Sequence, residues 1–218
     1  MRALQGELQR GAAALGLDLT ALQLAQLLDY LELLRKWGRV YNLTAVRDAG
    51  EMVTHHLLDS LSVITPLRRH WAKSGNAAES RLLDVGSGAG LPGVVIAVCC
   101  PGVTVSCVDT VAKKAAFIQQ VAVNLTLPHL RGVHARVENL PEKYHVVVSR
   151  AFAALADFTR LSANALATGG VWMAMKGKRP DEEIAALPPE VRVFHVEQIL
   201  VPGLDAQRCL VWMERSAA

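Results

Sequence analysis

Two acids and a glycine cluster have the types and spacing for ligand chemistry. In "LLDVGSGAGLPG" (82–93) an apolar run ends in Asp84, and Gly86, Gly88 and Gly90 follow directly. Glycine reaches positive φ without a Cβ clash and lets a ligand approach the backbone closely. A helix starting just after the loop offers free N–H groups and a positive dipole end. The spacing is GxGxG, not the GxGxxG of dinucleotide sites, and no Gly-Lys-Ser/Thr follows as in a P-loop. An acid two positions before the first glycine disfavours a pyrophosphate and suits a ligand carrying an ammonium group. The second acid, Asp109, closes the β-branched run "VTVSCVD". An acid at the end of a second strand is where ribose hydroxyls are read. One ligand with both an amino-acid moiety and a ribose is S-adenosylmethionine. Asp84 is then expected near the ammonium, Gly86 and Gly88 along the methionine chain, and Asp109 on the ribose. A glycine turn serving only tight packing explains the loop but not the paired acids.

These residues need a scaffold, and the pattern around them supplies one. From Arg81 onward, "RLLDV", "VTVSCVD", "LRGVHARV", "YHVVVSRA", "VWMAMKG", "VRVFHVEQILV" and "RCLVWMER" read as strands. Helices separate the first five except the third and fourth: "GLPGVVIAVCCP", "VAKKAAFIQQVAVNLTL" and "ALADFTRLSANALATGG", the last expected to be closed by Gly169–Gly170. "DEEIAALPPE" reads as a short helix after the fifth strand. Alternation of this kind predicts a mostly parallel α/β sheet. The last two strands, joined only by "PGLDAQ", predict an antiparallel edge. Residues 1–75 read as a helical lobe and 81–218 as the sheet domain, with "KSGNAAES" (73–80) as linker. Within the lobe, Leu22, Leu24, Leu27, Leu28, Leu31 and Leu34 form an apolar stripe at helical spacing, with Asp18 or Thr20 as N-cap. A second helix is expected over about 49–67, capped by Asp48 with Glu51 at its third position.

Bulk properties restrict the class. Half of the residues are hydrophobic (51%), enough for a sizeable core, and the formal net charge of +3 permits an anionic partner without requiring one. Cys99, Cys100, Cys107 and Cys209 form no CxxC pair and sit in apolar stretches, which reads as reduced core thiols and not as a zinc site. The first residues lack a continuous apolar block, and "VVIAVCC" is too short to span a bilayer. A soluble cytoplasmic protein without metal or membrane association is expected.

Five segments carry a family resemblance: "YNLTAVRD" (41–48), "HHLLDS" (55–60), "LLDVGSGAGLPG", "RVEN" (136–139) and "VVSRAFAAL" (147–155). From about Leu22 to Val211 the chain resembles the glucose-inhibited division protein B family. Members are bacterial class I, Rossmann-like S-adenosylmethionine-dependent methyltransferases that form 7-methylguanosine in 16S ribosomal RNA of the small subunit. The chain departs from the family at Asn139, where a second acid is expected, and carries Ser87 where threonine is as common. The resemblance implies cofactor contacts at Gly86, Leu91, Val137, Glu138 and Arg150. Glu138 would face the adenine and Arg150 the transferred methyl. Asn42, His55 and Asp59 come with the motifs but without a role.

Absent motifs narrow the target. The chain has Ser149-Arg150-Ala151-Phe152 where amino-group methyltransferases carry an Asp/Asn-Pro-Pro-aromatic loop, and no cysteine lies between Cys107 and Cys209 to attack cytosine carbon. A guanine ring nitrogen already has an in-plane lone pair, so no catalytic triad is expected and catalysis is by orientation. Arg150, Phe152 and Lys176 are the candidates for positioning the guanine. Phe152 is the stacking candidate, although a phenylalanine after a strand is more often core. Affinity for 16S RNA is assigned to cations: Arg35, Lys36, Arg39 and Arg47, interleaved with Trp37 and Tyr41, and Lys176, Lys178 and Arg179 after the fifth strand. Two other readings stay open, a small-molecule methyltransferase with the same cofactor site and a non-catalytic cofactor-binding ribosome-assembly factor.

Overall fold

The computed structural model describes residues 2–41, 43, 44, 46, 48–74 and 80–216, without the side chains of 39–41. Helices α1 (Arg2–Ala14) and α2 (Ala21–Tyr41) come first. Thr20 caps α2 reciprocally: its Oγ1 accepts from Gln23 N at 3.2 Å, and Gln23 Oε1 accepts from Thr20 N at 3.0 Å. Leu24, Leu27, Leu28, Leu31 and Leu34 are buried as their spacing predicts, but Leu22 points outward at 67% exposure. The expected helix over 49–67 is a composite. It contains α3 (Ala49–Met52), a π-helical turn (Val53–Leu58) and α4 (Asp59–Leu61), then restarts as α5 (Ile64–Ser74). Asp48 is its N-cap, accepting from Glu51 N.

Seven strands follow: β1 (Arg81–Val85), β2 (Thr104–Asp109), β3 (Leu130–His134), β4 (Tyr144–Arg150), β5 (Leu166–Lys176), β6 (Val191–Ile199) and β7 (Arg208–Arg215). Between them run α6 (Gly93–Cys99), α7 (Ala112–Asn124), α8 (Leu155–Ser162) and α9 (Asp181–Ala185). Among the described residues the sheet order is β3-β2-β1-β4-β5-β7-β6, with β7 antiparallel to both neighbours and the remaining pairs parallel. The expected antiparallel edge is therefore present. Gly169 and Gly170 do not close α8, which gives way at Ala163 to a short 3₁₀ turn. They lie inside β5, where pairing jumps from Tyr144–Leu166 to Val146–Val171. Gly169 has φ +71°, and a Cβ on Gly170 would meet the carbonyl oxygens of Ala167 and Tyr144 at 3.0 Å, so only glycine fits this bulge.

Both faces of the sheet are covered, and the strands show it residue by residue. On β5, Val171, Met173 and Met175 belong to the core shared with the helical lobe and α6–α7, while Trp172 and Ala174 belong to the core beneath α8. Trp172 keeps its indole N–H satisfied by donating to Ser162 Oγ at 2.9 Å. The lobe is joined to the sheet domain by buried and part-buried polar contacts. Gln23 Nε2 donates to Val98 O, Gln26 Nε2 to Leu125 O, and Tyr30 Oη to Ala89 O at 2.8 Å. Trp37 packs on Phe117 with ring centroids 5.6 Å apart, so it is a core residue and not part of a cationic face. All four cysteines are free and buried. Among the described residues no helix is long and apolar enough to cross a membrane.

Candidate functional site

The glycine loop leaves β1 at the C-terminal rim of the sheet. Gly86 and Gly88 hold φ of +64° and +59°. Gly86 N and Ser87 N donate to Val108 O, and Gly88 N donates to Asp109 Oδ2 at 3.1 Å, binding the loop to the end of β2. A Cβ on Gly86 would lie 2.4 Å from Phe152 Cδ2, whereas a Cβ on Gly88 would have nothing nearer than Gly86 O at 4.0 Å. The backbone at Gly88 thus stays open to a cleft of about 540 Å³, the size of a small-molecule site. Gly86, Gly88, Leu91, Arg150, Met175 and Lys176 line that cleft, and residues from three other segments complete it: Leu43 and Thr44, His55 and Asp59, and Arg208.

Sheet order sets the remaining candidates in a line along the same rim. From the β3 edge they run Val137 and Glu138, then Asp109 on β2, the glycine loop on β1, Arg150 on β4, Lys176 on β5 and Arg208 on β7. Val137 is buried and Glu138 exposed on a 3₁₀ turn after β3. Asp109 is 7% exposed; its Oδ1 accepts from Val111 N at 2.9 Å, and Lys114 Nζ lies 3.6 Å from Oδ2. A carboxylate has about four acceptor positions, so lone pairs remain for hydroxyl donors.

Three expected roles change. Asp84 is fully buried beneath the loop and not on the cleft wall, with Oδ2 accepting from Gly93 N at 2.8 Å and Oδ1 without a partner among the described residues. Its apolar surroundings raise the carboxyl from 3.8 to about 7, opposed by the Gly93 N–H and the Arg150 charge. Phe152 packs against Gly86 and meets Phe158 edge-on at 6.4 Å, and is not among the residues lining the cleft, so the core role holds over base stacking. Lys176 is not a free cation: its Nζ donates to Ala153 O and to both oxygens of Glu183 at 3.0 and 2.8 Å. Arg179 pairs with Asp181 at 2.6 Å and Arg35 with Glu32 at 2.7 Å, leaving Lys36 and Lys178 exposed. Asn42 and Arg47, with the side chains of Arg39 and Tyr41, lie outside the described residues.

Arg150 enters the cleft held from behind. Its Nη1 donates to His55 O at 3.1 Å and to Asp59 Oδ2 at 2.9 Å. Ala151 follows with φ +55°, a strained conformation that turns the chain sharply at the rim. Arg208, Glu183 and the role of Asp59 were not foreseen, because their pairings span many residues and leave no periodic trace; only the presence of "HHLLDS" hinted at Asp59. Beside them, His56 Nε2 is 2.7 Å from Thr44 Oγ1, and burial followed by the nearby Arg150 charge pushes the imidazole down to about 4, so it is neutral. Among the described residues no group of three or more His, Cys, Asp or Glu side chains is placed to hold a metal. The open backbone at Gly88, the Ser87 Oγ without a partner among the described residues and the Asp109 carboxylate fit a nucleoside bearing an amino-acid tail.

Comparison with known proteins agrees with this fold. The chain is similar to solved structures at the level of fold. TrmN from Thermus thermophilus has a TM-score of 0.55 at 20% identity, covering 72% of this chain and 49% of that one. The ribosomal protein L11 methylase from Lactobacillus delbrueckii subsp. bulgaricus has a TM-score of 0.52 at 12% identity, covering 72% and 80%. Among curated proteins it is 64% identical over 218 residues to "Ribosomal RNA small subunit methyltransferase G" of Polaromonas sp. (strain JS666), covering 100% of this chain and 96% of the relative. The protein of that name from Acidovorax sp. (strain JS42) is 65% identical over 210 residues, covering 94% and 93%. Residues 23–211 match the GidB family model, described as rRNA small subunit methyltransferase G, and with a match over most of its length the chain belongs to that family.

Proposed function

We propose that this chain transfers the methyl group of S-adenosylmethionine to the 7-position nitrogen of a guanine in 16S ribosomal RNA, acting in the cytoplasm on RNA within the small subunit. The observation that carries the reading is the order of groups along the rim of a chain in this family: Glu138, Asp109, the glycine loop, then a cleft between Arg150 and Arg208. Glu138 would hold the adenine, Asp109 the ribose and the glycine loop the methionine chain, with the cleft beyond them left for the nucleotide. The donor supplies an electrophilic methyl on a sulfonium. The protein's task is to bring the guanine lone pair in line with it and to exclude water. The neutral His56, committed to Thr44, is consistent with a reaction that needs no general base. No phenylalanine, tyrosine or tryptophan lines the cleft among the described residues, so the base would be held at its edges and against Leu43, Leu91 and Met175. A base buried in folded RNA has first to be exposed.

The test is incubation with labelled donor and naked 16S RNA, intact small subunits or total metabolites, followed by mapping of the labelled atom. Label on a guanine 7-position supports the reading. Label confined to metabolites would make the chain a small-molecule methyltransferase, and donor binding without transfer would make it a binding protein.

A further inference from the structure

Asp59 is 2% exposed, yet it faces two guanidinium groups. Oδ2 accepts from Arg150 Nη1 at 2.9 Å, and Oδ1 accepts from Arg208 Nε at 2.8 Å. These partners lie 91 and 149 residues away in the chain, at the ends of β4 and β7. The π-helical turn Val53–Leu58 ends directly before Asp59, and from it the His55 carbonyl takes a second bond from Arg150 Nη1 at 3.1 Å. Arg208 is braced in turn, its Nη1 donating to Gln207 O at 2.9 Å. Each guanidinium is therefore held at two points from behind. Nε and Nη2 of Arg150 and Nη2 of Arg208 have no partner among the described residues, and both side chains line the cleft. One carboxylate between two guanidiniums leaves a net positive charge there. A tether for the helical lobe would need one arginine; this carboxylate takes two, from two strands, both at the site.

We infer that Asp59 is a positioning residue for methyl transfer: by bridging Arg150 and Arg208 it fixes the donors that orient the incoming nucleotide through its acceptor groups. The inference rests on the RNA-methylating function proposed above. Arginine suits the role because its planar fork, once braced on one side, presents the other in a fixed direction.

The experiment compares Asp59→Asn and Asp59→Glu with Glu197→Gln. Glu197 pairs with Arg69 and bonds the Trp212 indole away from the cleft, so it reports loss of a long-range ion pair as such. The readouts are donor affinity by calorimetry, kcat and KM for small-subunit RNA at saturating donor, and thermal midpoint. Asp59→Asn is expected to lower kcat by about a hundredfold, as misorientation does, with donor affinity within about threefold of the unsubstituted protein. Asp59→Glu keeps the charge and is expected to restore a large part of that loss. Glu197→Gln is expected to lower the midpoint while keeping kcat. If Asp59→Asn does not fold, Arg208→Lys, which keeps the charge but loses the Nε contact, is expected to show the same fall in kcat. An unchanged kcat in the folded variant, or a fall only in proportion to the unfolded fraction, overturns the inference. Failure of the unsubstituted protein to methylate any RNA overturns the substrate reading instead.

Discussion

Replacing Asp84 by asparagine should turn a nearly flat contribution to the pH dependence of stability into a rising one, because two buried groups titrate in opposite senses over one window. Asp84 has a folded-state pKa of about 7 against 3.8 in the open chain. Between those values the folded protein keeps a proton that the unfolded chain has lost. Stability from this group is therefore lost as pH rises, by about 1.4 kcal/mol per unit and about 4 kcal/mol in all. His56 has a folded-state pKa of about 4 against 6.5. Here the unfolded chain holds the extra proton, so stability is gained as pH rises, by about 3 kcal/mol in all. The two slopes nearly cancel in the unsubstituted protein from about pH 4 to about pH 6.5. Asparagine cannot ionise and leaves the rising arm of His56 uncompensated. Urea unfolding at about pH 4.5 and about pH 6.5 should show the stability difference, variant minus unsubstituted, increasing by roughly 3 kcal/mol between them. Every other titrating group drops out of that comparison. A difference that stays constant with pH would refute the burial argument for Asp84, whatever its absolute size.

Other outcomes follow from the same geometry. Gly88→Ala and Gly16→Ala both place a Cβ at positive φ, +59° and +72°, so each should lower stability by about 1–2 kcal/mol. Only Gly88→Ala should weaken the methyl donor more than tenfold by calorimetry, and equal effects of the two on binding would remove the loop from the site. Lys178→Glu should reduce the salt slope of RNA binding by about one or more, whereas Arg179→Glu should change it less because Asp181 already neutralises that charge. Trp172→Phe deletes the bond to Ser162 Oγ and should lower unfolding free energy by about 1–2 kcal/mol, with kcat unchanged; a loss of kcat would mean that this buried face reaches the reaction.

Local patterns carried most of the scaffold. Apolar runs of strand length located β4 and the second half of β5, and Thr20, one of two cap candidates, stands at the start of α2. What failed was where tertiary forces override local signals. Gly169–Gly170 resembles a helix stop, but Leu166 and Val171 both gain burial by joining the sheet, and the glycines absorb the mismatch. The π-helical turn has the composition of ordinary helix; with it, His55 O and Asp59 stand within reach of Arg150, 95 and 91 residues away. The local charge differs from a count along the sequence for a related reason: Glu183 pairs with Lys176 and Asp181 with Arg179, two of the three cations after the fifth strand.

The core that joins the helical lobe to the sheet has a consequence for the order of events during synthesis. Leu27, Tyr30 and Leu34 leave the ribosome well before Phe117 and Ile118, the residues of α7 that share their core. The face of α2 that meets α7 must then wait uncovered until the first two strands and α7 have been made, and the chain acquires its lobe and its sheet together.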